Sequence, residues 1–205
     1  KKLLVEKSNM KILFFSSGAV YGPSTKKNKF KENQKISIKK INTFIGYKKK
    51  YAKEKIILEN KFKEIANKGF KVSIVRGFTF YGRHILKYNY LISQILRAVK
   101  DKSKLVIKNK NTYRSFLYAD DMCKCLIKIL EKSSSKCPIY NLGSSHEIDI
   151  NYLIAFLNKK YKSKILIENR KSAIDYYIPS THKILKILKN KKLISLERGI
   201  ELLLS

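Results

Sequence analysis

The segment that most constrains this chain is Lys11–Ser16, KILFFS, four apolar residues in a row closing on small polar ones. So short a run carries no polar face, which marks a strand covered on both sides rather than an amphipathic helix. A second such run, Val72–Val75, follows after a segment of helical spacing, Lys48–Ala66. There Tyr51, the Lys55 stem, Ile56, Leu58, Phe62 and Ile65 form the apolar pattern, and Asn67-Lys68-Gly69 is a C-terminal stop. Strand, helix, strand predicts a parallel sheet with crossover helices, the α/β class.

Further along, helices are expected over Tyr90–Val99, Asp120–Leu130, Ile150–Leu157, Ser180–Leu188 and Ser195–Leu204, and strands over Lys104–Ile107, Pro138–Asn141 and Lys164–Glu168. The Asp at position 120 is expected to cap its helix. Pro23–Lys50 is lysine-rich with few apolar residues and reads as a loop or insertion carrying a short helix.

Composition excludes several classes. With 44% hydrophobic residues the chain can build a core. Its apolar runs are short and broken by lysine, so no transmembrane helix is expected. The net charge of +31 invites a nucleic-acid reading, but only six of the 46 basic residues are arginine: Arg76, Arg83, Arg97, Arg114, Arg170 and Arg198. Arginine's planar fork is what reads phosphates and guanine edges. Lysines spread along the whole chain instead predict a solvated surface and no specific nucleic-acid partner. Cys123, Cys125 and Cys137 are odd in number, and Cys123 and Cys125 fall on different helix faces. Free thiols in a reducing cytoplasm, with no metal site, are expected. The chain starts Lys1-Lys2-Leu3 with no initiator Met and no signal-peptide core, so a start inside a longer sequence is expected.

The chemistry is carried by Tyr51-Ala52-Lys53-Glu54-Lys55. On a helix, residues four apart share a face, which brings a phenol beside an ammonium. A tyrosine is a poor base near neutrality, and a neighbouring cation favours its phenolate. Among 13 tyrosines and so many lysines the spacing alone says little. Tyr47 is a rival, but four residues on from it stands Tyr51, not a lysine. Upstream, Ser16-Ser17-Gly18-Ala19-Val20-Tyr21-Gly22 closes the first strand, where α/β folds place ligands.

Taken together, SSGAVYG and YAKEKIILE resemble the extended short-chain dehydrogenase/reductases of the NAD-dependent epimerase/dehydratase family, which modify sugar nucleotides. Further motifs follow in the family's order: Val75-Arg76-Gly77-Phe78-Thr79-Phe80-Tyr81-Gly82, Tyr113–Asp121, Tyr140-Asn141-Leu142-Gly143, and Leu196-Glu197-Arg198-Gly199-Ile200. The resemblance implies a Rossmann-type sheet whose first strands are not in this chain, with residues 1–78 in the nucleotide-binding lobe and 79–205 mainly in a smaller substrate-binding lobe, about 104–141 returning to the sheet. It implies Tyr51 as acid/base, Lys55 lowering the Tyr51 pKa and binding the nicotinamide ribose, and Ser17 holding the reacting oxygen. Phe78 would lie at the cofactor, and Thr79, Arg83 and Arg114 at the substrate, Arg114 on the diphosphate. NAD or NADP is the implied cofactor, a nucleotide sugar the substrate, and a homodimer through the helix of Tyr51 and Lys55 the assembly.

Departures shape the reading. Dehydratases of the family carry an Asp-Glu pair where Gly18 and Ala19 stand here, which favours epimerisation or keto reduction/oxidation over elimination. Gly77, Thr79 and Ser115 replace the usual proline, amide and aspartate. The glycine-rich pyrophosphate turn has no match, though Leu3–Lys7 resembles the helix before the Ser-bearing strand. A dehydratase with an atypical acid pair, and a fragment or pseudoenzyme without a cofactor site, are the alternatives.

Overall fold

The computed structural model describes residues 10–169, 172–189 and 192–205, so the expected helix at Leu3–Lys7 lies outside the described residues. The expected apolar runs form the parallel sheet. Strand β1 (Lys11–Ser17) pairs with β2 (Lys71–Gly77), and β2 with β7 (Ile139–Leu142), all parallel. The crossover from β1 to β2 passes through a short helix α1 (Ile38–Asn42) and a long one, α2 (Tyr47–Asn67). Each end of α2 is a backbone solution: Gly46 precedes it at φ 60°, and Gly69 follows at φ 92°, both in the left-handed region that suits glycine.

The buried stripe of α2 is not the purely apolar one expected. Ala52, Glu59 and Ala66 are buried against the sheet, whereas Leu58 is exposed. A seven-residue repeat of small or polar residues brings the helix close to the strands, and the acid at its centre finds its partner below.

Beyond β2 come β3 (Phe80–Tyr81), α3 (Leu91–Lys100), β4 (Lys104–Ile107), β5 (Thr112–Arg114), β6 (Leu117–Tyr118) and α4 (Ala119–Glu131). After β7 follow β8 (Ile148–Asp149), α5 (Ile150–Tyr161), β9 (Lys164–Ile167), β10 (Asp175–Tyr177), α6 (His182–Ile187) and α7 (Leu196–Leu204). Of the 104–141 segment expected to return to the main sheet, α4 and β7 pack there, while β4 pairs in parallel with β9 instead. The second half is built from small sheets: β10 beside β5 beside β8, and β3 beside β6. These two- and three-residue strands are too short to leave a hydrophobic period, which is why β3, β5, β6, β8 and β10 were invisible in the sequence.

One core lies between α3, α5 and α7, where Tyr81, Ile92, Ile95, Leu96, Ile150, Leu153, Leu157 and Ile200 are fully or almost fully buried. Another lies under the sheet, around Val75, Leu117, Ile129 and Leu142. A third joins Val20, Tyr21, Phe30 and Phe78. Phe30 belongs to the lysine-rich insertion. That loop is pinned to the segment after β10, since Phe30 N–H donates to the Ile178 carbonyl and Ser180 N–H to the Phe30 carbonyl.

Asp120 and Asp121 do not cap α4. Tyr118 holds the cap position without a side-chain bond. The buried Asp121 carboxylate instead accepts from the Ile194 N–H at 2.6 Å and ties the approach to α7 down. Ser195 does cap α7, accepting from the Arg198 N–H.

Candidate active site

The site grows from the carboxyl ends of β1, β2 and β7. In the parallel register Ser16 stands beside Arg76, and Arg76 beside Asn141. Into this row α2 lowers Glu59. Its carboxylate accepts from Arg76 Nε at 2.9 Å, from Arg76 Nη2 at 2.7 Å and from the Ser16 hydroxyl at 2.7 Å. Arg76 Nη1 donates to the Tyr21 hydroxyl, which donates to Asn141 Oδ1 at 2.8 Å. Asn141 in turn donates from Nδ2 to the Phe30 carbonyl and from its backbone N–H to Glu32. A buried ion pair repays its desolvation only when geometry and further hydrogen bonds are good, and here both are. The network draws together four of the sequence motifs, those carrying Ser16 and Tyr21, Glu59, Arg76 and Asn141: it locks α2, the Val20-Tyr21-Gly22 turn and three strand ends into one floor.

Ser17 is the next residue on β1 and is buried. Its hydroxyl accepts from the Ala19 N–H at 3.2 Å, opening a single 3-10 turn over Gly18–Tyr21. That turn ends at Gly22 with φ 78°, a left-handed position that suits glycine. A serine hydroxyl has one proton, and with an acceptor lone pair taken by Ala19 that proton is left for a neighbour.

Tyr51 and Lys55 stand one and two turns into α2. Lys55 Nζ donates to the Phe15 carbonyl at 2.9 Å, which fixes the amine at the end of β1. It lies 5.6 Å from the Tyr51 ring centroid. Burial pushes the Lys55 ammonium down from its ordinary pKa. Tyr51 is 41% exposed, on a helix that Glu59 anchors below. The rival Tyr47 is 78% exposed.

A residue that the sequence left undecided joins them. The hydroxyl oxygen of Tyr177, on β10, stands 2.6 Å from where a Cβ on Gly18, the residue after Ser17, would lie. Its ring packs on Phe78 at 4.6 Å between centroids, and burial pushes its phenol pKa up. Phe78 is itself buried among Tyr21, Phe30 and Tyr177. Arg114, on β5 beside β10, stands 5.9 Å from the Tyr177 ring and is held in a salt bridge to Asp175 at 2.5 Å. Thr79 is half-buried and uses its carbonyl to receive the Leu117 N–H. Arg83 sits exposed on a 3-10 turn, Arg83–Ile85, as does His84. So Phe78 and Arg114 pack against Tyr177, Lys55 lies beside Tyr51 at the end of β1, and Arg83 faces solvent. The sequence left the Tyr176-Tyr177 pair open between lining a substrate pocket and plain packing, since β10 is three residues long and pairs with a strand far from it in the chain.

Comparison with known proteins agrees with this architecture. A profile described as the NAD dependent epimerase/dehydratase family matches residues 3–143. The chain belongs to that family. No curated protein sequence matches it directly. Among solved structures it is similar to a UDP-glucose 4-epimerase from Thermotoga maritima solved with UDP-glucose, at 20% identity and a TM-score of 0.78, covering 96% of this chain and 63% of that one. It is also similar to a dTDP-glucose 4,6-dehydratase from Bacillus anthracis in complex with NAD, at 18% identity and a TM-score of 0.74, covering 99% and 63%. A third similar structure is MoeE5 with UDP-glucuronic acid and NAD, at 16% identity and a TM-score of 0.75, covering 95% and 64%. The chain spans about three-fifths of the length of the structures it resembles. At these identities the likeness is one of fold, and that fold is the family's Rossmann-like α/β sheet.

Among the described residues no three metal-binding side chains cluster, and no helix is long and apolar enough to cross a membrane.

Proposed function

We propose that this chain is the catalytic and substrate-binding part of an NAD(P)-dependent enzyme that epimerises, or reduces and oxidises, a nucleotide-activated sugar. The observation that carries the reading is that the Lys55 amine is held at the Phe15 carbonyl, two residues before Ser17, and 5.6 Å from the Tyr51 ring centroid, above the Glu59–Arg76 floor. Tyr51 exchanges a proton with the sugar hydroxyl. Ser17 donates its free proton to the same oxygen and holds it in line. Lys55 sets its amine 5.6 Å from the Tyr51 ring centroid, beside the group that exchanges the proton.

The residues fit a nicotinamide. One Lys55 N–H is committed to Phe15, which leaves two donors for the ribose hydroxyls, and the strand ends are where parallel sheets take dinucleotides. When bound, the cofactor supplies the hydride acceptor and donor. Tyr51 and Lys55 would hold its nicotinamide end, with Phe78 behind them as part of the wall. The glycine-rich pyrophosphate turn is not among the residues of this chain. Thr79 and Arg114 are assigned to the nucleotide sugar, Arg114 offering the diphosphate the donors that Asp175 leaves free; Arg83 would reach it from the rim. Gly18 and Ala19, in place of the Asp-Glu pair of the dehydratases, support epimerisation or redox chemistry over elimination. Exposed Tyr47, Ile57 and Leu58 support α2 as a dimer face, and three free cysteines support a cytoplasmic setting.

The test is Tyr51→Phe in the enzyme with NAD and UDP-glucose as probe. Turnover is abolished and NAD stays bound; turnover near that of the unaltered enzyme refutes the assignment.

A further inference from the structure

We propose that Tyr177 is a positioning residue of this site: its hydroxyl orients Ser17, and with Phe78 it fills the ground over Gly18 that an acidic side chain would need. The proposal rests on the reading of Ser17, Tyr51 and Lys55 given above.

The argument starts at Gly18. A Cβ built there would lie 2.6 Å from the Tyr177 hydroxyl oxygen and 2.7 and 2.8 Å from two Phe78 ring carbons. All three distances are far inside van der Waals contact, so no side chain fits without moving a packed ring. The φ of Gly18 lies outside the left-handed region, and the demand for glycine here is therefore one of space, not of backbone conformation. The space is occupied by a phenol.

That phenol is held from several directions. Phe78 packs against it with the rings tilted by 33°, the strand pairing sets Tyr177 beside Arg114, and the Arg114 guanidinium lies 5.9 Å from the ring centroid. Arg114 is fixed in turn by Asp175 of the same strand. Ser17 meanwhile has its orientation half set: Ala19 N–H occupies one lone pair. The Tyr177 oxygen, seated over Gly18 next to Ser17, is the second point that sets it. Two contacts fix a hydroxyl rotor that one contact leaves free, and pre-set geometry is what a proton-transferring group needs. The same placement selects the reaction. With a phenol seated at Gly18, the site can hold an oxygen for proton transfer but has no room for a carboxyl directed at the neighbouring sugar carbon.

Three measurements test this. In the chain labelled with 13C at tyrosine Cζ, the Tyr177 resonance is assigned by its loss in Tyr177→Phe. Ser17→Ala is expected to shift it, and an unmoved resonance overturns the link to Ser17. Second, Gly18→Ala is expected to lower the melting temperature, and to lower it less on a Tyr177→Phe background, where the hydroxyl is gone. Equal losses in the two backgrounds overturn the spatial claim. Third, in the enzyme assayed with NAD and UDP-glucose, Tyr177→Phe keeps the ring and is expected to lower kcat about tenfold with KM and melting temperature unchanged, about 1.4 kcal/mol of barrier; an unchanged kcat beside an inactive Tyr51→Phe overturns the positioning role. Retained turnover in Tyr51→Phe would instead remove the catalytic reading, and the resonance and melting measurements would still judge the contact between Tyr177 and Ser17.

Discussion

Glu59 and Arg76 face each other across the gap between helix α2 and strand β2, joined by two parallel hydrogen bonds of 2.9 and 2.7 Å, with both side chains almost wholly out of solvent. The pair is the keystone beneath the proposed active site. Removing one member leaves the other charged and buried. Glu59→Leu is therefore expected to destabilise the fold by about 3–5 kcal/mol, while the double replacement Glu59→Leu with Arg76→Met costs far less than the sum of the singles. Urea unfolding of the three variants measures this, and additive losses would refute the pairing.

Two buried serines are expected to respond in opposite ways. Ser16 donates to the Glu59 carboxylate, so Ser16→Ala should cost about 1.5–3 kcal/mol, the range of a hydrogen bond to a charge. Ser115 is fully buried, and its hydroxyl has no hydrogen-bond partner. It stands where relatives of this pattern carry an aspartate. Ser115→Ala removes an unsatisfied polar atom and should be neutral or stabilising by about 1 kcal/mol. Thermal melts of the two variants compare them directly.

The three cysteines should separate by reactivity. Cys123 is exposed, Cys137 is partly covered and its thiol is pushed up by burial, and Cys125 is buried with its thiol pushed up to about 11. The thiolate is the reactive form, so a maleimide should label Cys123 first, Cys137 more slowly and Cys125 only on unfolding. The sign of the accompanying pH effect follows. Folded Cys125 keeps its proton above the pH at which the unfolded thiol loses it, so the folded state binds more protons there. Stability should decline as pH rises from about 9 towards about 11, and Cys125→Ala should flatten that decline. Mass spectrometry of labelled peptides and alkaline unfolding curves check the two halves.

The charge of +31 should show itself only as nonspecific binding. Random-sequence DNA is expected to bind at low salt and to lose affinity steeply between 50 and 200 mM, by about a thousandfold if six phosphates are neutralised. Fluorescence anisotropy with two unrelated duplexes should give the same Kd at each salt concentration; a persistent preference for one would contradict the solvated-lysine reading.

How much was legible differs from element to element. β1, α2 and β2 could be read because each is long enough, or apolar enough, to show its period. Leu58 was misassigned to the buried face because α2 turns Ala52, Glu59 and Ala66 inward, and a buried acid breaks the apolar pattern that period-reading relies on. Asp120 looked like a cap because Asp is common at helix starts, yet it does not cap α4, and its neighbour Asp121 finds a partner, Ile194, 73 residues away. Phe30 looked like an isolated apolar residue in a lysine-rich loop, but the strand end at Ile178 makes it core.

The amino-acid order was sufficient to establish the α/β class, the strand that ends in Ser17, the helix that carries Tyr51 and Lys55, and the family to which their motifs belong, because all of these rest on local periodicity and short spacings. Folding alone decided that Glu59, Arg76, Tyr21 and Asn141 form one network, that Tyr177 shares the site with Ser17, and that Gly18 is small because a phenol and a phenyl ring fill its space. Those relations join residues far apart in the chain, and their energies come from packing and desolvation, which have no value until the distant surfaces meet.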